Sequence, residues 1–351
     1  MKWLPNKGTG KQHAHTQTYI SRWTLNSTSQ TAKIVICLVG TGVFLCGDAD
    51  RLKLSAYMSA SPQKIANQVN HIASKISVKV VDQDFLGSGF IVQHSGRQYT
   101  VVTNQHVLRA GEAPYFIESS DGKIHAAQVV SNLSTTNYTY DLAILKFEAD
   151  ATYSTAKIGS SLYLEVGEPI FAAGYPYSES SDEHMNASFK ELKTDNSILA
   201  LKRGRIAVIL NQALEEGYQI GYTNDVKKGM SGGPLLNSQG EVVGVNGKHA
   251  YPLWESPEIY QDGSEPCPAL QELITRSSLA IPIEKSIELN PKLEALRSST
   301  NAKIIRRSNS NLPEVNSPLV AKMQAIAQQT TQTCQNSLGK SVSNQEEDYS
   351  D

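Results

Sequence analysis

The stretch Gly229-Met-Ser-Gly-Gly-Pro-Leu-Leu-Asn-Ser-Gln-Gly-Glu-Val-Val-Gly-Val245 sets one serine between glycines, ahead of two apolar runs. In an α/β hydrolase a Gly-x-Ser-x-Gly turn leads from a strand into a helix. Pro234 and the strand-like run Gly240–Val245 do not fit a helix after this serine. From Ile76 to about Ile283, short strand-like runs alternate with Gly, Asn, Asp and Ser turns. The pattern predicts an all-β barrel or sandwich.

Ser231 is the candidate nucleophile of this stretch. Glycine has no Cβ, so the turn can approach a substrate carbonyl and aim the amides of Gly229 and Ser231 at one point. A serine hydroxyl is a weak nucleophile until a base takes its proton, so the motif predicts a histidine and a carboxylate upstream. A glycine-rich turn with Ser231 as a filler is the alternative interpretation.

Two upstream residues are candidates for those groups. His106 follows a predicted strand in Thr103-Asn-Gln-His-Val-Leu108, and Asp141 opens the alternating run Asp141-Leu-Ala-Ile-Leu-Lys-Phe147. The order His, Asp, Ser differs from the orders in subtilisin and in α/β hydrolases and matches the chymotrypsin arrangement. A core histidine and a turn aspartate are the alternative interpretations.

Eight short pieces in this order resemble the chymotrypsin-fold, trypsin-like serine proteases, above all the bacterial heat-shock-type enzymes and the trypsin-like domain common in cyanobacterial sequences. The pieces are Gly87-Ser-Gly-Phe, Val102-Thr-Asn-Gln-His-Val107, Asp141-Leu-Ala-Ile-Leu, Gly174-Tyr-Pro, Tyr222-Thr-Asn, Gly229-Met-Ser-Gly-Gly-Pro-Leu-Leu, Gly240-Glu-Val-Val-Gly-Val and Leu279-Ala-Ile-Pro-Ile283. The resemblance implies an all-β fold of two six-stranded antiparallel β-barrels, with the active site in the cleft between them.

The resemblance also implies roles for the candidates. His106 and Asp141 would come from the first barrel and Ser231 from the second, as base, orienting carboxylate and nucleophile. The amides of Gly229 and Ser231 would form the oxyanion hole. We therefore expect a serine endopeptidase that cleaves polypeptides through an acyl-enzyme, with no metal and no organic cofactor. A catalytically silent binding or scaffold protein with the same fold is the alternative.

Asp225 is the candidate for recognising a substrate side chain. It lies six residues before Ser231, where an aspartate lines the primary pocket of trypsin-like enzymes and selects Lys or Arg. An exposed turn aspartate, neutralised by Lys227 or Lys228, is the alternative interpretation.

The strand made of Gly244, Val245, Asn246 and Gly247 is expected to line the same pocket and to pair with substrate backbone. Lys248 and His249 follow it, and a basic pocket wall would instead favour acidic side chains. The preference at the cleavage site stays open between these interpretations.

The 351 residues divide into four predicted segments. Residues 1–49 are a basic N-terminal segment with an export signal, and 50–75 are a linker with a short helix that starts at Ser61-Pro62. Residues 76–290 are the protease domain, and 291–351 are a polar, largely disordered tail.

The net charge of −2 and the absence of a recurring basic stripe argue against a nucleic-acid partner. The oligomeric state stays open.

The run Ile34–Cys46 is apolar and follows a basic head without acidic residues. It is shorter than the roughly 18 residues of a membrane-spanning helix and has the length of an export-signal core. We expect export to the periplasm or the medium. A buried strand, or an uncleaved signal that anchors the chain to the membrane through residues 34–46, is the alternative.

Two cysteines remain outside the predicted signal, Cys267 and Cys334. Cys267 lies in a Pro-, Glu- and Ser-rich insertion, residues 251–276, which we expect beside the pocket as a gate. Cys334 ends an amphipathic pattern that begins at Leu319 and predicts one helix in the tail. One lies in a loop and the other in a tail, and the sequence leaves open whether they are bonded. Neither has a Cys or His neighbour at ligand spacing, so two free cysteines are favoured over a metal site.

Overall fold

The computed structural model describes residues 35–39, 42–46, 61–130, 140–177, 198–251, 257–296 and 317–347. Within them lie two closed six-stranded antiparallel β-barrels, so the predicted fold class is confirmed. The chain forms two compact units, residues 1–55 and 56–351, and both barrels belong to the second.

The first unit contains one antiparallel hairpin of β1 (Val35–Val39) and β2 (Gly42–Cys46), with Val35 opposite Cys46. The core of the predicted export signal falls on these strands, and its backbone is extended. The basic head, residues 1–34, lies outside the described residues. In the part of the chain that the structure describes, no helix has the length and apolar character to cross a membrane. The export signal stays a prediction.

The second unit begins with helix α1 (Pro62–Ile76), which confirms the helix predicted from Ser61-Pro62. The Ser61 hydroxyl accepts from the Lys64 amide at 3.3 Å and caps the first turn. The apolar stripe of α1 buries Val69, Ala73 and Ile76. This stripe contacts strands of both barrels, so α1 bridges them.

The first barrel consists of six strands and a short helix. In chain order they are β3 (Ser77–Val81), β4 (Phe85–Ser95), β5 (Gln98–Thr103), α2 (Gln105–Arg109), β6 (Tyr115–Glu118), β7 (Ile124–Val129) and β8 (Ala143–Glu148). The strands pair in the order β3-β4-β5-β8-β7-β6. Alternate residues such as Ile91 fill the barrel, whereas Phe90 and Val92 pack in a core shared with α1 and the second barrel.

The second barrel has the same strand number and a comparable path. Its strands are β9 (Pro169–Gly174), β10 (Ala200–Ile209), β11 (Ile220–Tyr222), β12 (Pro234–Leu236), β13 (Val242–Lys248) and β14 (Ser278–Pro282). They pair in the order β10-β11-β14-β13-β12-β9. The stretch quoted at the outset contributes β12 and β13, which pair antiparallel, so a strand follows Ser231.

Three helices complete the second unit: α3 (Pro268–Thr275), α4 (Ile283–Leu289) and α5 (Pro318–Glu347). Helix α5 extends beyond the pattern that predicted a helix from Leu319 to Cys334. Its fully buried Val320 packs on Gly167, and Gln324 donates to the Val166 carbonyl at 3.2 Å. The tail is thus docked on the second barrel through the start of α5.

The sequence left the pairing of the two cysteines open, and in the structure they are bonded. A disulfide joins Cys267, the residue before α3, to Cys334 in α5, with Cα atoms 5.6 Å apart. The tail packs beside the insertion because α5 and α3 are in contact. Spacing along the chain could not show this, since 67 residues separate the two cysteines.

We expect Cys334→Ser to lower the free energy of unfolding by about 2–4 kcal/mol, because the cross-link restricts a long loop of the unfolded chain. Urea titrations with and without dithiothreitol measure the loss. The reductant should destabilise the parent protein and leave the bonding-deficient variant unchanged. Equal midpoints for oxidised parent and variant would contradict a stabilising bond.

Candidate active site

His106 and Asp141 form a tight pair in the first barrel. Helix α2 follows β5 directly and presents His106 to Asp141, which lies just before β8. The His106 Nδ1 atom lies 2.5 Å from Asp141 Oδ2, and the His106 amide donates to Oδ1 at 2.7 Å. The carboxylate is fully buried, whereas 38 % of the His106 side chain is exposed. This pairing occupies Nδ1 and leaves Nε2 as the ring nitrogen for proton transfer.

Further contacts fix Asp141 from both barrels. The Asn104 side chain donates to its carbonyl at 2.7 Å, and the Asp141 amide donates to Glu216 O at 2.9 Å. The Tyr218 hydroxyl donates to Oδ2 at 2.5 Å. Arg109 bridges Glu216 at 3.0 Å and Asp141 Oδ1 at 3.7 Å. The buried charge is therefore compensated by several donors.

Ser231 lies in the turn before β12 and is half-buried. Its hydroxyl donates to the Gly247 carbonyl at 2.9 Å, and among the described residues no hydrogen bond joins it to His106. A Cβ placed on Gly87 would lie 2.9 Å from the Val107 side chain and 3.3 Å from the Ser231 carbonyl. Helix α2 and the serine turn therefore approach each other across Gly87.

The turn fixes the direction of two amides. The Lys228 carbonyl accepts from the Tyr177 amide at 2.9 Å, and the Met230 carbonyl accepts from the Gly233 amide at 3.1 Å. In a planar trans peptide the N–H points opposite to the C=O, so the amides of Gly229 and Ser231 are turned away from those partners. Within the described residues neither amide donates a hydrogen bond. Gly229 has φ of 91°, a conformation that favours glycine.

Ser88 on β4 ties the first barrel to this turn. Its amide donates to the Ser231 carbonyl at 2.9 Å, and its hydroxyl donates to the Gly229 carbonyl at 2.7 Å. The same hydroxyl accepts from the Tyr175 amide at 2.8 Å. The fit is close, since a Cβ on Gly232 would lie 2.1 Å from the Ser88 carbonyl. Sequence reasoning missed Ser88 as a site residue, although it lies in one of the matching pieces.

Asp225 lies at the surface. Its side chain is 65 % exposed, with Lys227 at 2.9 Å and Lys202 at 3.8 Å. This placement does not support a buried carboxylate that pairs with a substrate guanidinium. It agrees with the alternative interpretation of an exposed, neutralised turn aspartate.

The strand with Gly244, Val245, Asn246 and Gly247 is buried throughout. The Asn246 side chain donates to Ala173 O at 3.1 Å and to Pro234 O at 3.2 Å, and it accepts from the Tyr222 hydroxyl at 2.9 Å. Its polar atoms are thus committed inside the barrel. Its backbone is bonded as well, since the Asn246 amide donates to the Gly233 carbonyl at 2.9 Å and the Asn246 carbonyl accepts from the Gly232 amide at 2.8 Å.

The charge of Lys248, at the end of β13, is paired with a carboxylate. Its Nζ atom lies 2.7 Å and 2.9 Å from the two carboxylate oxygens of Glu258, in a largely buried ion pair. The ammonium also lies 4.9 Å from the centre of the Tyr218 ring. Glu258 belongs to the insertion, so the insertion reaches the strand of the predicted pocket. His249 is exposed.

The part of the chain that holds this site is similar to known proteins. Residues 87–245 match the family described as a trypsin-like peptidase domain, a range that contains His106, Asp141 and Ser231. This part of the chain is similar to trypsin-like peptidase domains. The resemblance inferred from the sequence is confirmed.

The chain also has similar relatives among curated proteins. It is 31 % identical over 160 residues to the "Serine protease Do-like HtrA" of Lactobacillus helveticus, and 32 % identical over 164 residues to a "Probable periplasmic serine endoprotease DegP-like" of Marinomonas. Each match covers 46 % of this chain, but only 35 % and 29 % of the two relatives.

A solved structure also matches the chain. The serine endoprotease from Yersinia pestis has 21 % identity and a TM-score of 0.44, and the match covers 65 % of this chain and 66 % of that one.

We expect Ser88→Ala to lower the free energy of unfolding by about 1–3 kcal/mol, because the Gly229 carbonyl and the Tyr175 amide lose their partner. Ser278→Ala is the matched control. Ser278 is equally buried, but its hydroxyl makes a single bond, to Asn224 O. Chemical denaturation of both variants gives the comparison. A loss in Ser88→Ala no larger than in Ser278→Ala would contradict the role of Ser88 as a tie between barrels.

Proposed function

We propose that this chain is an exported serine endopeptidase that hydrolyses polypeptides through an acyl-enzyme on Ser231. The observation that carries the proposal is the His106–Asp141 pair, held by two hydrogen bonds beside the Ser231 turn. A buried carboxylate on Nδ1 is the arrangement that makes a histidine an oriented base. The matching peptidase family and the relatives named serine proteases support the proposal.

In the first chemical step the Ser231 hydroxyl turns from the Gly247 carbonyl to His106 Nε2. The Oγ atom attacks the scissile carbonyl carbon while Nε2 takes the hydroxyl proton. The carbonyl oxygen becomes an oxyanion that accepts from the amides of Gly229 and Ser231. Asp141 stabilises the imidazolium that forms and keeps its proton on Nδ1.

The second half of the reaction returns the proton. The scissile C–N bond breaks as His106 gives the proton to the leaving amine, and the acyl group stays on Ser231 Oγ. A water molecule then attacks the acyl carbon while His106 takes its proton. The C–Oγ bond breaks, the proton returns to Ser231, and the carboxylic acid product leaves. The chain's own residues carry each proton, so the proposal names no metal and no organic cofactor.

A second candidate is a protease-fold binding or scaffold protein. The observation that favours it is the Ser231 hydroxyl bonded to Gly247 rather than to His106. In peptidases, however, catalytic hydrogen bonds are often long before substrate binds and tighten in the complex. The buried, multiply bonded Asp141 favours the enzyme.

Export is part of the proposal. A structural disulfide such as Cys267–Cys334 persists in oxidising compartments and is rare in the cytosol. One relative is named as probably periplasmic. The apolar run of residues 34–46 is the segment that would direct the chain across the membrane or hold it there.

The test of the activity is covalent labelling of the full chain with a fluorophosphonate, combined with cleavage of a mixed peptide library. We expect the parent to be labelled on Ser231 and to cleave, and Ser231→Ala to do neither. His106→Gln should slow both reactions by roughly 10³-fold or more, because the base is lost. A parent that neither cleaves nor reacts would reject the enzyme in favour of the scaffold.

Asp225→Ala is expected to leave the residue preference at the cleavage site unchanged, since this exposed carboxylate is paired with Lys227. Sequencing of library products from parent and variant measures the preference. Lys227→Ala, which removes the ion-pair partner of Asp225, is the companion variant. A parent preference for Lys or Arg that Asp225→Ala abolishes would restore the aspartate as a pocket residue.

A further inference from the structure

Tyr218 links the second barrel to the proposed catalytic carboxylate. It is fully buried just before β11, and its hydroxyl donates to Asp141 Oδ2 at 2.5 Å. The same oxygen accepts from His106 Nδ1. One carboxylate oxygen therefore receives a donor from each barrel.

Tyr218 also lies against the residue that holds the nucleophile. A Cβ on Gly247 would lie 2.2 Å from the Tyr218 hydroxyl oxygen, so only glycine leaves room there. The Gly247 carbonyl is the acceptor for the Ser231 hydroxyl. The backbone of Gly247 thus lies between the tyrosine and the serine, whereas the Tyr218 hydroxyl contacts Asp141 directly.

A charged side chain lies over the Tyr218 ring. The Lys248 ammonium lies 4.9 Å from the ring centre and is neutralised by Glu258 of the insertion. Burial raises the pKa of Tyr218 well above its ordinary value, and the nearby charge of Asp141 raises it further. The hydroxyl therefore stays protonated and remains a donor.

The other charged groups near Asp141 are paired with one another. On α2, Arg109 lies 3.7 Å from Oδ1 and 3.0 Å from Glu216, which precedes Tyr218 in the chain. Tyr140, next to Asp141 in sequence, turns its hydroxyl to Glu288 at 2.9 Å and has Lys285 over its ring. Among the described side chains, Tyr218 and His106 are the hydrogen-bonding partners of Oδ2.

We propose that Tyr218 is a positioning residue that sets the basicity of His106 through Asp141. This inference rests on the proposed function. The phenol fixes the orientation of the carboxylate and takes up part of its negative charge, so Asp141 attracts the imidazolium less strongly. The Lys248–Glu258 pair keeps the ring in place and thereby connects the insertion to the catalytic base.

The sign of the effect follows from the charge. Without the phenol, the full carboxylate charge faces His106 and the imidazolium is stabilised. His106 then loses its proton at a higher pH, so the acid limb of the kcat/KM profile moves upward. The kcat of the variant also falls, because turnover needs a neutral imidazole and an oriented carboxylate. KM changes little.

The experiment compares Tyr218→Phe with Tyr222→Phe in the full chain. Tyr222 is a matched control because it lies in β11, is equally buried, and donates to the neutral amide oxygen of Asn246. We expect Tyr218→Phe to lower kcat about 10-fold, since a hydrogen bond to a charged group is lost. The acid limb should move upward by about half a pH unit. Tyr222→Phe should leave the acid limb in place.

A second readout does not require activity. Nuclear magnetic resonance of labelled histidine follows the His106 imidazole, which His106→Gln identifies among the eight histidines. Its titration midpoint should move upward in Tyr218→Phe and stay in Tyr222→Phe. Site-specific 3-fluorotyrosine at position 218 keeps the ring size and donates more strongly, so it should move the midpoint downward.

The outcomes separate the two proposals. Unmoved midpoints and pH profiles in folded Tyr218→Phe and in the fluorotyrosine protein would overturn the positioning role. If Tyr218→Phe does not fold, the fluorotyrosine protein alone decides, and an unmoved midpoint there has the same meaning. A parent that neither cleaves peptides nor reacts with fluorophosphonate would overturn the proposed function, while the imidazole titration still tests the contact with Asp141.

Discussion

The hydrogen bonds between Ser88 and the Ser231 turn are the contact on which the site depends. Each barrel is a closed sheet, so neither needs a strand of the other to complete it. The proposed active site, in contrast, has His106 in one barrel and Ser231 in the other. Ser88 spans this boundary with both its amide and its hydroxyl and so fixes the distance between the two halves. The apolar core that the barrels share with α1 buries surface between them, whereas the Ser88 hydrogen bonds fix how the two barrels are aligned.

Asp141 is the second constraint, because a buried carboxylate is costly unless donors surround it. Three donors meet it within 2.7 Å: the His106 amide, the His106 ring and the Tyr218 hydroxyl. Only the first two come from the barrel that holds Asp141. If the first barrel folded alone, the buried Asp141 carboxylate would lack one of its three hydrogen-bond donors. The second barrel supplies the missing donor, the Tyr218 hydroxyl, when the two barrels pack together.

The local patterns of the sequence predicted an all-β barrel or sandwich and the order of His106, Asp141 and Ser231, and the family resemblance implied two barrels. Period-two runs report which residues face a core, and glycine-rich turns report sharp backbone bends, and both are properties of neighbours along the chain. Ser88 and Tyr218 could not be found this way. Their decisive partners are Gly229 and Asp141, 141 and 77 residues distant in the chain. For Asp225 the sequence left a pocket and a surface position open, since an offset from Ser231 fixes a place in a loop and not its exposure.

The disulfide between Cys267 and Cys334 changes how the chain carries mechanical load. Strand β14, which pairs with both β11 and β13, lies inside the covalent ring that this bond closes. Tension applied at the C-terminal end passes from Cys334 directly to Cys267 and bypasses β14. The strand that closes the second barrel therefore cannot be unzipped by a pull from that end while the bond is intact. An ATP-driven unfoldase that grips the tail would have to begin with the insertion.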